Sequence, residues 1–177
     1  MNSQFKFEIL AECQQFYVHD EMADFELAGD WTRQASDRLL AHAPDVLAIG
    51  TVRSQAFVPV VLELSDEEPD EDLNQWDQVN ECSLEISSGQ LVVPNVFYGG
   101  DLLVDQKLPV LPDTYRARAY YGKLDSVTRP GPGEDHYKVV LWRATPAPML
   151  VLKQADVQLI RWTSFVGDSF VSRRTTM

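Results

Sequence analysis

Apolar and polar residues alternate along much of the chain, and this period of two is typical of strands that bury one face. The alternation is clearest in two stretches of the second half, residues 114–121 (TYRARAYY) and 136–142 (HYKVVLW). In the first stretch, tyrosines and alanines share one face while Arg116, Arg118 and Tyr120 share the other. The PGPG sequence at 130–133 excludes a helix between the two stretches. We therefore predict that they form a pair of half-buried antiparallel strands at the centre of the fold.

Shorter alternating runs on either side of this pair predict further strands. One or two strands are predicted over residues 5–18, and others over 46–52, 57–64, 149–153 and 157–162. Residues 79–93 are predicted to form a hairpin that turns at Ser87-Ser88-Gly89 and points Cys82 and Leu84 inward. Residues 94–107 are predicted to be irregular.

One segment has the apolar spacing of a helix instead. Asp30 is a suitable N-cap and Pro44 a suitable stop, so an amphipathic helix is predicted over about 31–43. The apolar residues at helical spacing are Trp31, Ala35, Leu39, Leu40 and Ala43. About nine short strands and one short helix predict a mostly β fold, an antiparallel β-sandwich. We expect a single domain over residues 1–165 and a frayed C-terminal tail over 166–177.

Net charge is the extreme feature of the composition. The chain has 27 acidic and 15 basic residues among 177, a net charge of −12. Residues 1–105 hold 21 acidic and 4 basic residues (net −17), whereas residues 106–177 hold 6 and 11 (net +5). Such an excess repels phosphates and argues against nucleic acid as a direct partner. It favours either a solvated acidic surface or a basic partner protein.

The densest acidic segment is residues 66–77 (DEEPDEDLNQWD), which contain seven carboxylates and no basic residue. Charges this close together repel one another, so the segment is predicted to be a mobile, solvated loop or a strand crossover. A partial match to the calcium-binding loop of an EF-hand begins inside it, at Asp70, Asp72, Asn74 and Glu81. Gln75 stands where that loop requires glycine, and no helix flanks the segment. We therefore predict no metal site.

The hydropathy of the chain and the spacing of its cysteines favour an intracellular protein. No stretch reaches the roughly 18 to 20 apolar residues of a membrane span, and the N-terminus lacks the pattern of a secretion signal. Cys13 and Cys82 have no CxxC or CxxH partners, so zinc and a disulfide framework are both disfavoured. We expect a cytoplasmic protein that does not bind a membrane, with buried, reduced thiols.

Motifs for catalysis are missing from the chain. It has no GxGxxG, P-loop, HExxH or GxSxG sequence. The three histidines, His19, His42 and His136, are interpreted as structural, although a triad of His136, Asp135 and a serine stays open. Carboxylate pairs of the glycosidase type cannot be told from chance pairs in so acidic a chain. We predict a protein that is not an enzyme and has no cofactor.

Several short motifs occur in the order found in a known family. They are 15–18 (QFYV), 30–32 (DWT) opening a helix with Ala35, 48–50 (AIG), Arg53, 56–58 (AFV), 88–89 (SG), 111–115 (LPDTY) and 135–137 (DHY). With them, residues 14–142 resemble the competence protein J family, inhibitors of the DNA-entry nuclease. The acidic segment 66–77 looks like an elaboration of that pattern, and residues from about 145 onward have no counterpart in it.

The resemblance implies a non-enzymatic protein that binds and blocks a basic partner, a nuclease or a toxin. Carboxylates could then occupy the cationic groove of the partner as phosphate mimics. The residues expected to make contact are Asp66, Glu67, Glu68, Asp70, Glu71 and Asp72, followed by Asp20, Glu21, Asp24 and Glu26. The oligomeric state is not predicted.

Two alternatives to this function stay open. A regulatory binding protein aimed at another partner would share the acidity. A small-ligand or carbohydrate-binding β-sandwich would instead show a concave aromatic pocket that includes Tyr98, Tyr120 and Tyr121.

Overall fold

The computed structural model describes residues 2–24, 31–70, 72–100, 102–127 and 132–156. The predictions of an Asp30 cap, a strand at 157–162 and a tail at 166–177 lie outside these residues. The described chain forms one short helix, α1 (Arg33–Arg38), and eleven strands. The strands are β1 (Ser3–Ala11), β2 (Gln15–Asp20), β3 (Leu40–Ala43), β4 (Val46–Gly50), β5 (Ala56–Ser65), β6 (Gln78–Ile86), β7 (Gln90–Tyr98), β8 (Leu102–Pro109), β9 (Asp113–Gly122), β10 (His136–Arg143) and β11 (Leu150–Lys153).

The predicted central pair is confirmed, because β9 and β10 pair antiparallel with Tyr137 opposite Tyr121. All eleven strands belong to one sheet, in the order β11-β6-β9-β10-β5-β1-β7-β2-β4-β3, with β8 paired to β7. β5 lies beside β10 in parallel orientation, so the sheet is mixed. The prediction of a mostly β fold is correct, but the purely antiparallel arrangement is not.

The sheet is a strongly curled half-barrel and not a two-sheet sandwich. β1 and β2 lie along the same edge of β7, with Ile9 opposite Val96 and Asp20 opposite Leu91. Between them the chain turns a corner at Cys13 and Gln14, which both have positive φ. On its other side, β1 pairs with β5 before this corner, and β2 pairs with β4 after it. The sheet therefore folds over on itself, and its inner surface encloses the core.

The core is made by the alternating apolar residues of the inner surface. Strands β9 and β10 contribute tyrosines, alanines, valine and leucine from one face, as predicted. Two buried hydroxyls connect these strands to residues outside the sheet. Tyr121 donates to the Leu39 carbonyl at 2.6 Å, and Tyr137 accepts from the Val52 N–H at 3.1 Å. The outer face of β9 is also buried, because Arg116 and Arg118 are only 4% and 6% exposed. β9 is therefore buried on both faces, whereas the sequence predicted burial of one face only.

The helix is half as long as predicted. Thr32 caps it by accepting the Ala35 N–H at 3.1 Å, and Leu39 ends it in the left-handed conformation. Residues 40–43, predicted to continue the helix, form β3 and pair with β4. Residues 39–41 are all buried, so this short apolar run fits a strand buried on both faces as well as a helix.

The predictions of a hairpin at residues 79–93 and of irregular chain at 94–107 are also corrected. β6 and β7 are joined at residues 87–89 as expected, but they do not pair: β6 lies between β9 and β11, and β7 pairs with β8, β1 and β2. Residues 94–107 are largely β-structure, because β7 and β8 form a hairpin that turns at Gly99 and Gly100, which both have positive φ.

Candidate protein-binding surface

Residues 66–77, here called the acidic crossover, connect β5 to β6 across the outer side of the sheet. Within this segment, the carboxylates predicted to contact a partner are exposed where the structure describes them, and Glu71 lies outside the described residues. The exposed members are Asp66, Glu67, Glu68, Asp70 and Asp72. Asp72 also accepts the Asn74 N–H at 2.9 Å and so caps a short 3-10 turn within the crossover.

The acidic crossover is fixed to the sheet by Arg118 of β9. Its guanidinium donates to the Glu68 carboxylate and, at 2.9 Å, to the Pro69 carbonyl. At the other end, the Trp76 ring packs 5.1 Å from the Tyr120 ring and 5.3 Å from the His136 ring. Of the two predicted alternatives, the segment is therefore an anchored strand crossover.

A buried charge network lies directly beneath the acidic crossover. Glu81 of β6 accepts from Arg116 Nε at 3.0 Å and Nη2 at 2.7 Å, and from Arg118 Nε at 2.8 Å. Two guanidiniums and one buried carboxylate leave one positive charge uncompensated, and Glu68 supplies the balancing negative charge. Local sequence patterns do not indicate this network, although Glu81 and Arg118 occupy facing positions once β6 and β9 are paired.

The same network excludes the EF-hand interpretation. Both oxygens of Glu81 are occupied by arginines, and the residue lies inside a strand. No group of three or more His, Cys, Asp or Glu side chains in the described part of the chain is arranged to hold a metal ion.

The second predicted group of carboxylates is mostly structural. Asp20 is 1% exposed at the end of β2, and its carboxylate accepts the Ser88 N–H, the Ser88 hydroxyl and the Met22 N–H at 2.8–2.9 Å. Burial alone would raise the pKa of Asp20, but these hydrogen bonds lower it below its usual value. Asp20 is therefore corrected from a partner contact to a residue that fixes the β6–β7 connection.

The other members of this second group differ in their surroundings. The exposed carboxylate of Glu21 pairs with the ammonium of Lys107 at 2.5 Å, which raises the pKa of Lys107. Asp24 is exposed, and Glu26 lies outside the described residues. Glu21 and Asp24 thus lie at the surface beyond the end of β2.

The triad left open by the sequence is not assembled. Asp135 is fully buried, and its carboxylate accepts the Tyr137 hydroxyl at 2.7 Å and lies 2.5 Å from Arg53 Nε. His136 lies on the outer side of the sheet against Trp76, with Nδ1 3.1 Å from the Glu134 carbonyl. The two side chains therefore point to opposite sides of the sheet. The Asp135 network instead connects β10 to the loop after β4.

His19 and His42 are expected to make folding stability depend on pH. Burial lowers the pKa of the His19 imidazole below 6.5, although Asp20, Asp105 and Asp45 partly oppose this effect. His42 is exposed as a residue, but partial loss of hydration at its ring and the charges of Arg38 and Arg116 also lower its pKa. The native state therefore binds fewer protons than the unfolded state as pH falls below about 6.5, and stability decreases there. Urea midpoints measured between pH 7.5 and 5 should fall over this range. The His19→Asn/His42→Asn variant should show a smaller decrease, and an equal decrease would contradict this assignment.

The aromatic pocket expected of a ligand-binding sandwich is not formed by the predicted residues. Tyr120 and Tyr121 are 0% exposed on opposite faces of β9, whereas Tyr98 is 67% exposed at the β7–β8 turn. A surface groove of about 330 Å³ lies elsewhere, on the outer side of β1, β5 and β10. Its walls include Glu8, Pro59 and Trp76.

Solved structures with this fold include two proteins of low sequence identity. One is ComJ, inhibitor of the DNA degrading activity of NucA, from Bacillus subtilis, with a TM-score of 0.57 and 12% identity over 80% of this chain and 96% of ComJ. The other is crocagin biosynthetic gene J, with a TM-score of 0.54 and 16% identity over 82% of this chain and 99% of the other.

Comparison by sequence adds no relative, since no protein-family model and no curated protein matches the chain. Within the described residues, no helix has the length and apolar character needed to cross a membrane. The match to the ComJ structure confirms the resemblance to the competence protein J family, as a shared fold that covers most of each chain.

Proposed function

We propose that this chain is a non-enzymatic acidic protein that binds and inhibits a basic partner, a nuclease or a toxin. The observation that carries the proposal is the acidic crossover, where five exposed carboxylates lie on a segment anchored by a buried arginine. The shared fold with ComJ supports the proposal, because that protein inhibits the DNA-degrading activity of NucA.

The physical basis of the inhibition is charge complementarity. An enzyme that cleaves DNA attracts phosphates with a positively charged groove, and carboxylates can occupy such a groove in place of phosphates. Opposite charges speed up association, and added salt weakens it. Because Arg118 holds the acidic crossover in place, less conformational entropy is lost when the partner binds.

The test measures DNA degradation by NucA at increasing concentrations of the chain. We expect inhibition, and we expect the Asp66→Asn/Glu67→Gln/Asp70→Asn variant to inhibit at least about tenfold less well, with a weaker dependence on salt. The matched control, Asp37→Asn/Glu85→Gln/Asp125→Asn, removes three exposed carboxylates from other sites and should change inhibition much less. Equal effects of the two variants would mean that the acidic crossover is not the contact site.

A further inference from the structure

An apolar patch is exposed on the same outer side of the sheet as the acidic crossover. Phe57 of β5, Phe97 of β7 and Leu103 of β8 are 41%, 39% and 42% exposed. The rings of Phe57 and Phe97 meet edge to face with centroids 5.1 Å apart, and Leu103 lies opposite Phe97 in the β7–β8 ladder. Neighbouring aromatic side chains that stay exposed in this way are typical of an interaction site.

A groove of about 330 Å³ lies between the patch and the acidic crossover. Pro59, two residues along β5 from Phe57, forms one of its walls. Trp76, which belongs to the acidic crossover, forms another wall of the same groove. A partner that contacts the carboxylates of the acidic crossover can therefore reach Phe57 across a single groove.

The rim of the patch is predominantly acidic. Glu8 lies opposite Pro59 in the β1–β5 ladder, and Glu12 and Asp105 both contact Asn95 at the β7 bulge next to Phe97. All three carboxylates are exposed. The opposing charges are Lys6, on the same strand as Glu8, and Lys138, which lines the groove and pairs with Glu63 at 3.4 Å. A second copy of a chain with net charge −12 is repelled by such a rim, whereas a basic protein is attracted.

We infer that the outer face of β5, β1, β7 and β8 is a docking surface for a basic protein, with Phe57 and Phe97 as apolar anchors. The inference rests on the proposed function and extends its contact site from the acidic crossover across the groove to the apolar patch. An apolar centre surrounded by charged residues is the usual arrangement of a specific protein interface. Charge on the rim directs the approach, and burial of the two rings slows dissociation.

The test measures binding of the full-length chain to NucA and its inhibition of DNA degradation. The Phe57→Thr/Phe97→Thr variant removes both rings and keeps residues that favour strands. The matched control, Leu150→Thr/Leu152→Thr, removes exposed apolar side chains from β11 at another edge of the sheet. We expect roughly 30-fold weaker NucA binding for the phenylalanine variant and little change for the control. Urea midpoints of both variants should lie close to that of the wild type.

The possible results separate this inference from the proposed function. A wild-type chain that leaves NucA unaffected overturns both. Inhibition that the wild type shows and the phenylalanine variant retains overturns the docking surface alone. Sedimentation of the wild type as a dimer that the phenylalanine variant abolishes would assign the face to a second copy, which also overturns the inference.

Discussion

Replacing Glu81 with glutamine is expected to destabilise the fold more than any other conservative change of one charged residue. The carboxylate receives three hydrogen bonds from Arg116 and Arg118, and all three side chains are less than a tenth exposed. Glutamine keeps the shape but leaves two buried guanidiniums without their shared counter-ion. The loss should be about 3–5 kcal/mol. Thermal unfolding should show a midpoint lower by roughly 10 °C.

A matched control lies on the same strand. Glu85→Gln removes an equal charge from an exposed position of β6 and should leave the midpoint nearly unchanged. Because Arg118 also holds Glu68 and Pro69, Glu81→Gln should in addition speed hydrogen exchange in residues 66–77. Similar midpoints for the two variants would show that the buried network contributes little to stability.

Replacing Asp135 with asparagine is expected to give the second-largest loss, about 2–4 kcal/mol. The carboxylate is fully buried and lies 2.5 Å from Arg53 Nε, although the pair is not aligned as a hydrogen bond and attracts mainly through charge. Its other oxygen accepts the Tyr137 hydroxyl, which in turn accepts the Val52 N–H. Asparagine can keep the bond to Tyr137 but not the attraction to Arg53. Urea unfolding measures the difference.

The neighbouring residue provides the control for this prediction. Glu134 is exposed and pairs with the exposed ammonium of Lys123, so Glu134→Gln should barely move the urea midpoint. Tyr137→Phe should cost less than Asp135→Asn, because it leaves Asp135 beside Arg53. A smaller effect for Asp135→Asn than for Tyr137→Phe would contradict the assignment of Arg53 as the main partner.

The two buried networks have different consequences for function. The Asp135 network connects β10 to the loop after β4 and lies inside the half-barrel. The Arg116–Glu81–Arg118 network lies under the acidic crossover and positions the residues proposed to bind a partner. The basic residues of the second half thus hold part of the acidic first half in place. The Glu81→Gln variant should therefore also weaken inhibition, through loss of position and not through loss of an exposed charge.

Strand positions were the most predictable part of the fold. The alternation in residues 114–121 and 136–142 correctly assigns the inward tyrosines and alanines of β9 and β10. Alternation is a local property, since each residue is compared only with neighbours two positions away. The helix was less predictable, because Leu40, Ala41 and Ala43 of β3 are all buried and their run lacks a distinct period.

The candidate site was predictable only in part. Local density of charge correctly locates the exposed carboxylates of the acidic crossover, such as Asp66 and Glu67. It misjudges Asp20, which has the same charge but is buried against Ser88, 68 residues away in the chain. The patch at Phe57 and Phe97 was not predicted, because alternation does not distinguish the inner face of a strand from an apolar outer face.

The sequence by itself determined most of the strands, the faces that most of them bury, and the excess of negative charge in the first 105 residues. Only the tertiary structure decided which strands are neighbours, that one curled sheet replaces two, and which carboxylates face solvent. The physical reason is that pairing and burial depend on contacts between distant residues. Glu81 and Arg118, 37 positions apart, become partners only when β6 and β9 lie side by side.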